Sequence, residues 1–317
     1  TPEDLRNYTA VERKALEFDY KGTRVVSMPL PSSGGILLAQ MLKMASYENL
    51  EKYQQNSVKA VQVMVEAERR AYADRAEYMG DPGFIQDKTS YLISDEYLRN
   101  RWKNFSFSKA TPSSKVGKII KQSKESTETT HISVIDKEGN AAAVTTTLNG
   151  LYGSKVVVSG AGFFLNNEMD DFSIKPGVPN MFGAVGGEAN SIQPNKRMLS
   201  SMTPTIVLKN GKPYMVVGTP GGTTIPTSVY QSIVNIIDFK LNVNLSVNAP
   251  KFHHQWLPET VAFEKNFPET TIKEIGKLGY KAEKWGQIGR TEMILIDDEG
   301  NIHAVADGRG DDSVAVE

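Results

Sequence analysis

The spacing of apolar positions changes character along this chain. Up to about residue 120 it is mostly helical, as in ILLAQMLKM at residues 36–44 and in a longer segment at residues 57–79. The longer segment begins at Ser57, a good N-terminal cap, and is expected to end before the run Gly-Asp-Pro. Its helical face carries Val61, Met64, Val65, Glu68, Tyr72 and Arg75.

After Thr129 the pattern changes to short β-rich runs separated by turn residues. Three hairpins are predicted around the turns KEGN, KNGK and DEGN, at residues 131–148, 205–217 and 293–306. Residues 223–239 and 268–280 have helical spacing instead. Antiparallel hairpins covered by helices predict an α+β fold rather than a doubly wound parallel sheet.

A lysine- and serine-rich tract, residues 105–128, lies between the mostly helical region and the β-rich region. It has no sustained periodicity, and it is therefore predicted to be a mobile connection. The chain is accordingly divided into a mostly helical part, 1–128, and a part that begins with a strand, 129–317. Helices such as ILLAQMLKM have few evident partners upstream, so we expect residues 1–128 to leave apolar surface uncovered unless a further N-terminal segment packs on it.

Composition narrows the class of partner. The chain has 317 residues, 39% of them hydrophobic, and a formal net charge of -1 from 36 basic and 37 acidic residues. This balance gives no long-range field that would favour nucleic acid or an anionic membrane, so small substrates fit better. The sequence has no membrane-spanning run and no signal pattern at its start. The absence of cysteine excludes disulfides and a cysteine nucleophile but leaves the compartment open.

Thr129 would acquire a distinct chemistry if it became a chain terminus. A threonine hydroxyl is a weak nucleophile near neutral pH, but an α-amine with a pKa of about 7.7–8.0 can accept its proton. The β-branched side chain also restricts χ1 and so aims the hydroxyl. Cleavage between Glu128 and Thr129 would supply that amine. Taken alone, however, two threonines before a strand are typical of β-propensity.

Other motifs strengthen this interpretation. TTHISVIDKEGNAAAVTTTLN, LNNEMDDF, LSSMTPT and GTPGGTT follow one another after residue 128, and PLPSSGG and AERRAYADRAEYMGDP precede it. On these motifs the chain resembles the γ-glutamyltranspeptidases, N-terminal-nucleophile hydrolases that cut themselves into a large and a small subunit. The resemblance covers all of 129–317 and continues upstream.

The resemblance implies roles for the first two of these motifs. Thr129 would be the nucleophile, Thr147 would orient and activate its hydroxyl, and Asn149 would contact the α-carboxylate side of the substrate. Glu168 and Asp171 would hold the α-amino group of a γ-glutamyl moiety.

The two later motifs complete the implied site. Ser200 and Ser201 would contact the α-carboxylate of the donor, and the backbone N–H groups of Gly221 and Gly222 would form the oxyanion hole. Glycines allow close approach of the backbone, and a helix expected to begin near Thr224 would point its positive end at the site.

Two differences from the family are visible. Residues 176–187 resemble the lid loop of lid-bearing members, but Phe182 stands where a tyrosine is expected, so one hydroxyl is missing. The resemblance also begins well inside the large subunit. The missing portion carries, in the family, an arginine that pairs with the α-carboxylate of the substrate, and no motif here replaces it.

The resemblance therefore implies a four-layer αββα sandwich and a γ-glutamyl transferase and hydrolase, autoprocessed between Glu128 and Thr129. The expected substrates are glutathione and related γ-glutamyl compounds, with water, amino acids or peptides as acceptors and no metal or organic cofactor. The expected partner is the N-terminal remainder of the large subunit, and the expected compartment is periplasmic or secreted. The alternatives are a glutaryl cephalosporin acylase of the same family and an inactive fragment that lacks the donor-binding arginine.

Overall fold

Helices and strands alternate along the chain in the manner of an α+β fold. The computed structural model describes residues 1–117, 129–173, 175, 178 and 186–316. The helices are α1 (Pro2–Asn7), α2 (Gly34–Ser46), α3 (Val58–Tyr78), α4 (Thr89–Leu92), α5 (Asp95–Trp102), α6 (Thr224–Ile237), α7 (Val243–Asn248) and α8 (Glu269–Lys277). The strands are β1 (Leu16–Tyr20), β2 (Thr23–Ser27), β3 (Thr130–Ile135), β4 (Ala141–Thr146), β5 (Thr205–Lys209), β6 (Lys212–Gly218), β7 (Phe252–His253), β8 (Thr260–Glu264), β9 (Lys281–Trp285), β10 (Glu292–Ile296) and β11 (Ile302–Val305).

The predicted hairpins and helices are confirmed, and one further hairpin appears. β3–β4, β5–β6 and β10–β11 pair antiparallel, and α3 begins after the Ser57 cap as expected. The hairpin β1–β2 was missed within the region predicted to be mostly helical. Its signal was the turn at Lys21 and Gly22, both with positive φ, between two β-rich runs.

Antiparallel pairing builds the main sheet. Among the described residues, six strands join in the order β1-β2-β5-β6-β10-β11, and β3–β4 forms a separate two-stranded sheet. The small sheet β7-β8-β9 departs from the expected pattern, because β8 and β9 are parallel and connected through α8. A parallel pair needs such a crossover connection.

The main sheet packs on helices with one face and on the β3–β4 hairpin with the other. Met215 and Val217 of β6 belong to the core that includes α2 and α6. Gly218 alternates with Val217 along the strand and therefore faces the other way. There it meets His131 of β3 so closely that a Cβ at residue 218 would lie 2.1 Å from the ring. Two sheets with a helical layer outside the larger one are thus present.

The hairpin β3–β4 turns its polar face inward. His131 is buried, while Ile132, Val134 and Val144 are 55%, 49% and 52% exposed. This reverses the common arrangement in which the apolar face of an antiparallel sheet packs on the core. The same region exposes further apolar side chains, at Leu151, Val156, Val157 and Phe163.

The expectation of uncovered apolar surface in 1–128 was wrong for the helix ILLAQMLKM, although Leu5, Tyr8 and Tyr91 are exposed elsewhere in that part. Ile36, Leu37 and Leu38 of α2 are fully buried, since α2 packs between the main sheet, α3 and α6. The helices that cover α2 lie downstream of it, α3 close by and α6 far along the chain, and the periodicity of α2 does not reveal them.

The tract predicted to be mobile is packed over its described part, so that prediction was wrong for residues 105–117. Ser113 is buried, and its Oγ donates a hydrogen bond to the carbonyl of Trp256 at 3.1 Å. The Thr111 N–H donates to the carboxylate of buried Glu66 at 3.0 Å. Residues 118–128 lie outside the described residues.

Candidate active site

One side of the candidate site is formed by Thr129, Thr147 and Asn149, which we call the hairpin side. Thr129 directly precedes β3, and Thr147 directly follows β4, so antiparallel pairing places the two residues side by side. The Thr129 Oγ1 donates to Thr147 Oγ1 at 3.4 Å, and Thr147 Oγ1 also accepts from the Asn149 N–H at 2.8 Å. Thr147 Oγ1 is therefore positioned to accept a hydrogen bond from the Thr129 hydroxyl.

Asn149 fixes the turn that follows β4. Its φ is +72°, a left-handed conformation that asparagine tolerates better than most residues. The Asn149 side chain donates to the carbonyl of Asn167 at 3.2 Å, and the Asn167 side chain accepts from the Gly150 N–H at 2.8 Å. The turn is thereby tied to the segment that leads into the acidic residues.

The opposite side, which we call the serine side, consists of Arg75, Asp171, Ser200 and Ser201. Backbone hydrogen bonds hold the serine pair against the PSSGG turn: the Ser200 N–H donates to Pro31 at 2.8 Å, and the Ser200 carbonyl accepts from the Ser33 N–H at 2.9 Å.

A close approach explains one glycine of this turn. A Cβ at Gly34 would lie 2.3 Å from Thr203 Oγ1 and 2.5 Å from the Met202 carbonyl. A side chain there would push the PSSGG turn away from the serine segment.

Arg75 supplies the positive charge on the serine side. It projects from α3, is 5% exposed, and donates from Nε to Ser33 Oγ at 3.1 Å and from Nη2 to Ser201 Oγ at 3.2 Å. The sequence placed it on a helical face without assigning it a role.

The acidic residues lie on a 3₁₀ turn, Glu168–Asp171. Loss of solvation raises the pKa of Glu168 to about 7. Loss of solvation, followed by the charges of Glu168 and Asp170, raises the pKa of Asp171 to about 7, and the charge of Arg75 opposes that rise. Two carboxyl groups with raised pKa values beside one cleft are suited to receive a cation.

Asn190 connects the acidic segment with the serine segment. Its Nδ2 donates to the Asp171 carbonyl at 2.7 Å, and its Oδ1 accepts from the Leu199 N–H at 3.0 Å. The residue is buried, so these bonds hold the two segments at a fixed separation. No motif pointed to it.

The glycine pair forms the turn before α6. Gly221 and Gly222 have φ values of +139° and +56°, which only glycine adopts without strain at both positions. The Gly221 carbonyl accepts from the Thr224 N–H at 3.0 Å and from Thr224 Oγ1 at 2.8 Å. The predicted helix start at Thr224 is confirmed, and the positive end of α6 faces this turn.

The structure brings most of the predicted site residues together in one cleft. Its described lining consists of Arg75, Thr129, Thr147, Asn149, Asp171, Ser200, Ser201, Met202, Gly222, Thr223 and Ile225. Glu168 and Gly221 are outside this lining, but they belong to the turns that carry Asp171 and Gly222. Glu128 and Phe182, predicted as cleavage and lid residues, lie outside the described residues.

His131 packs the hairpin against the main sheet. Its Nδ1 pairs with Thr145 Oγ1 at 2.8 Å and its Nε2 with Ser133 Oγ at 3.1 Å. Burial lowers its pKa to about 4, so the ring is neutral near pH 7. The histidine beside the two threonines therefore fills the space above Gly218 and fixes the hairpin on the main sheet.

Arg75 could have been found from the sequence. It continues the buried face of α3 after Glu68 and Tyr72, and a charged side chain on a buried face must find partners. Within the described ranges there is no group of three or more His, Cys, Asp or Glu residues that could hold a metal ion. Nor does any helix in the described part have the length and apolar character to cross a membrane.

Comparison with a solved structure first identifies the fold. A cephalosporin acylase from Bacillus halodurans superposes with a TM-score of 0.82 over 99% of this chain and 55% of that chain, at 24% identity. Such low identity shows the fold alone. It agrees with the predicted α+β fold; of the four predicted layers, the described residues show two sheets and the helical layer outside the larger one.

Closer relatives define the family. The γ-glutamyltranspeptidase family model matches residues 1–317. A glutathione hydrolase proenzyme from Escherichia coli (strain K12) is 47% identical over 316 residues, covering 99% of this chain and 54% of the relative. A γ-glutamyltranspeptidase from Pseudomonas nitroreducens, solved in complex with L-DON, is 45% identical with a TM-score of 0.57, covering 59% of this chain and 99% of that chain.

The chain belongs to the γ-glutamyltranspeptidase family, which confirms the resemblance found in its motifs. It spans about half the length of the curated relatives it matches.

Proposed function

We propose that this protein hydrolyses and transfers γ-glutamyl groups, with Thr129 as its nucleophile and glutathione among its donors. One observation carries the proposal: the Thr129–Thr147 hydroxyl pair, Asp171, the serine pair and Gly222 line a single cleft. A nucleophile, an anionic side chain for an ammonium group and hydroxyl donors for a carboxylate are the groups that a γ-glutamyl donor requires. The Escherichia coli relative is named a glutathione hydrolase.

The reaction begins once the bond between Glu128 and Thr129 has been cut. The free amine of Thr129 takes the proton from Oγ1, and Oγ1 attacks the γ-carbonyl carbon of the donor. The carbonyl electrons move onto oxygen, where N–H groups of Gly221 and Gly222 stabilise the negative charge. Collapse expels the leaving amine, which receives the proton from the Thr129 ammonium, and a γ-glutamyl ester on Thr129 remains.

Water or an amine acceptor then resolves the ester. The neutral Thr129 amine takes a proton from the incoming water, amino acid or peptide, which attacks the ester carbonyl through the same oxyanion site. The Thr129 hydroxyl leaves and regains its proton. Hydrolysis and transpeptidation share the first half-reaction, and the acceptor determines the product. The groups involved are an amine, a hydroxyl and backbone dipoles, so the proposed steps use no metal or organic cofactor.

The donor binds between the two sides of the cleft. Asp171, assisted by Glu168, pairs with its α-ammonium, and Ser200 and Ser201 donate to its α-carboxylate, with Asn149 beside that end. Burial raises the pKa of Asp171 to about 7, and an ammonium placed beside the carboxyl group would favour its ionised form. Phe182 is proposed as the lid residue over this pocket.

The outer face of β3–β4 supports a further partner. Ile132, Val134 and Val144 expose an apolar strip that resembles an inner surface rather than an outer one. We propose that 1–128 is the C-terminal part of the large subunit and 129–317 the small subunit. The N-terminal remainder of the large subunit would pack against the exposed face. The proposed compartment is periplasmic or secreted.

Intact-mass analysis and N-terminal sequencing, combined with turnover of γ-glutamyl-p-nitroanilide, test the proposal. A chain that begins Thr-Thr-His-Ile-Ser and releases p-nitroaniline is expected. Active protein with a different new terminus would remove Thr129 as the nucleophile. Absence of turnover by the complete, processed protein would favour the inactive alternative.

A glutaryl cephalosporin acylase is the second candidate, because a relative from Pseudomonas sp. (strain SE83), named an acylase proenzyme, is 31% identical over 310 residues. A glutaryl group has the terminal carboxylate but no ammonium, so Asp171 would have no ion-pair partner in that donor. Rates with γ-glutamyl-p-nitroanilide and with glutaryl-cephalosporin, measured on the same preparation, distinguish the two. Faster turnover of the glutaryl compound would overturn the main proposal.

A further inference from the structure

Arg75 occupies a central place on the serine side of the cleft. It lies near the C-terminal end of α3, it is 5% exposed, and its side chain is among those that line the cleft. A guanidinium group buried to this extent is retained only where its charge and its N–H groups are compensated.

Two hydrogen bonds connect the guanidinium with the serine pair. Nη2 donates directly to Ser201 Oγ at 3.2 Å. Nε donates to Ser33 Oγ at 3.1 Å, and that hydroxyl donates in turn to the Ser200 carbonyl at 2.8 Å. The arginine thus holds one serine by its side chain and the other by its backbone.

The bond to Ser201 determines which way that hydroxyl can donate. A serine hydroxyl has one proton and two acceptor positions. Because Arg75 can only donate, the Ser201 oxygen must accept from it, and the Ser201 proton is directed elsewhere. Ser201 lines the cleft, so its proton is available to a group that binds there.

We propose that Arg75 is a positioning residue that orients the Ser201 hydroxyl as a hydrogen-bond donor toward the carboxylate of the γ-glutamyl donor. This inference rests on the proposed function, since it concerns how the same cleft recognises its donor. It assigns a role at the carboxylate end of the pocket to Arg75, which lies in the AERRAYADRAEYMGDP motif but had no function assigned from the sequence.

A comparison of two donors measures this role. γ-Glutamyl-p-nitroanilide carries both the α-carboxylate and the ammonium, whereas 4-aminobutyryl-p-nitroanilide has the same chain and ammonium without the carboxylate. In the complete protein, Arg75→Gln is expected to raise KM for the first donor about tenfold, with little change in kcat, because a hydrogen bond to a charged group is affected. The KM for the second donor is expected to change little.

Arg75→Lys serves as the conservative variant. Lysine keeps the charge but has no planar fork with which to reach Ser33 and Ser201 together. Its KM for the γ-glutamyl donor should fall between those of wild type and Arg75→Gln. If Arg75→Gln does not fold, Arg75→Lys carries the test, and a wild-type KM in that variant would overturn the inference.

A double-mutant cycle with Ser201→Ala tests whether Arg75 acts through Ser201. If it does, Arg75→Gln should raise KM much less in the Ser201→Ala background than in wild type, and the remaining effect is the one that passes through Ser33 to Ser200. Full additivity of the two effects would contradict the proposal, as would equal losses for both donors.

Arg101→Gln is the matched control. Arg101 pairs with Asp74, the neighbour of Arg75 on α3, at 2.9 Å, and is outside the cleft lining. It should change thermal stability without changing the ratio of kcat/KM between the two donors. If wild type turned over neither donor, the proposed function would fail, whereas an unchanged donor ratio in an active Arg75→Gln variant would refute this inference alone.

Discussion

The two sides of the cleft differ in how the described chain supports them. The serine side rests on α2 and α3, whose apolar residues are almost all buried. Hydrogen bonds from Ser33, Arg75 and Asn190 connect its segments. The hairpin side is carried by a two-stranded sheet that packs on the main sheet with its polar face. Its apolar face, with Ile132 and Val134, is open.

This difference shows that the two sides of one site can be supported to different extents by the rest of the chain. Two-stranded sheets are marginal by themselves and gain stability from what covers them. The serine side has its support within these 317 residues, while the position of Thr129 depends on the hairpin and on a cover for its outer face. Substitutions on the two sides should therefore have different effects on stability and on activity.

The largest expected effect is on the hairpin side. Thr129→Ala should leave a single uncut chain and lower turnover of γ-glutamyl-p-nitroanilide by at least about a thousandfold, since the nucleophile is lost. Mass analysis and the p-nitroaniline rate measure both consequences. Thr130→Ala, the matched control, should still cut.

Thr129→Ser refines the same test. It keeps the hydroxyl but loses the methyl group that restricts χ1. The variant should therefore still cleave itself and should turn over the donor more slowly than wild type. Turnover by Thr129→Ala would exclude Thr129 as the nucleophile.

The second prediction compares the packing of the two sides. Leu38→Ala on α2 should lower the free energy of unfolding by about 2–5 kcal/mol, because it empties a fully buried position. Ile132→Ala, on the open face of β3, should cost less than about 1 kcal/mol in the 317-residue chain. Urea unfolding of both variants gives the two values.

The same pair of variants tests the proposed cover. In the complete protein, Ile132→Ala should become clearly more costly if a further segment packs on the hairpin. Unchanged small cost there, or a stable, monodisperse and active preparation of the 317 residues alone, would show that the outer face needs no cover.

A third prediction concerns the serine side. Asp171→Ala should leave the donor ammonium unpaired. It should reduce kcat/KM for a γ-glutamyl donor by a factor that corresponds to about 2–4 kcal/mol of transition-state free energy. Self-cleavage should change much less, because the scissile peptide bond brings no free ammonium to that position. Asp170→Ala, one residue away and outside the cleft lining, is the control. Wild-type kinetics in Asp171→Ala would remove this residue from the donor site.

The smallest expected effect is a pH dependence. Asp171 faces Glu168, Asp170 and Arg75, and loss of solvation raises its pKa to about 7. It must be ionised to pair with ammonium, so binding of a γ-glutamyl donor weakens as the pH falls through that value. The Thr129 amine acts on every donor and cancels in a ratio.

The measurement is kcat/KM for γ-glutamyl and glutaryl anilides between about pH 5 and about pH 9, a range that spans both relevant pKa values. The γ-glutamyl to glutaryl ratio should fall by up to about tenfold per pH unit on the acid side. Asp171→Asn should flatten it. A ratio independent of pH in wild type would mean that the ionisation of Asp171 plays no part in donor choice.

The sequence alone determined three of the hairpins, the longer helices and the order of the motifs, but not the hairpin β1–β2 or the parallel pair β8–β9. Turn residues between β-rich runs located β3–β4, β5–β6 and β10–β11, because turn chemistry is local. The same local rules placed the start of α6 directly after the glycine pair. The motifs indicated the family and the candidate residues, including Thr129, and the division at residue 129 stays a prediction.

Only the tertiary structure decided which faces are covered and which side chains meet. Alternation along β3 marks two faces but cannot say that the polar one packs inward, since that depends on Gly218 in a distant strand. The burial of α2 depends on α3 and α6, and the bond between Arg75 and Ser201 joins residues 126 positions apart. Such contacts form between segments distant in sequence, and their geometry is set by packing rather than by local periodicity.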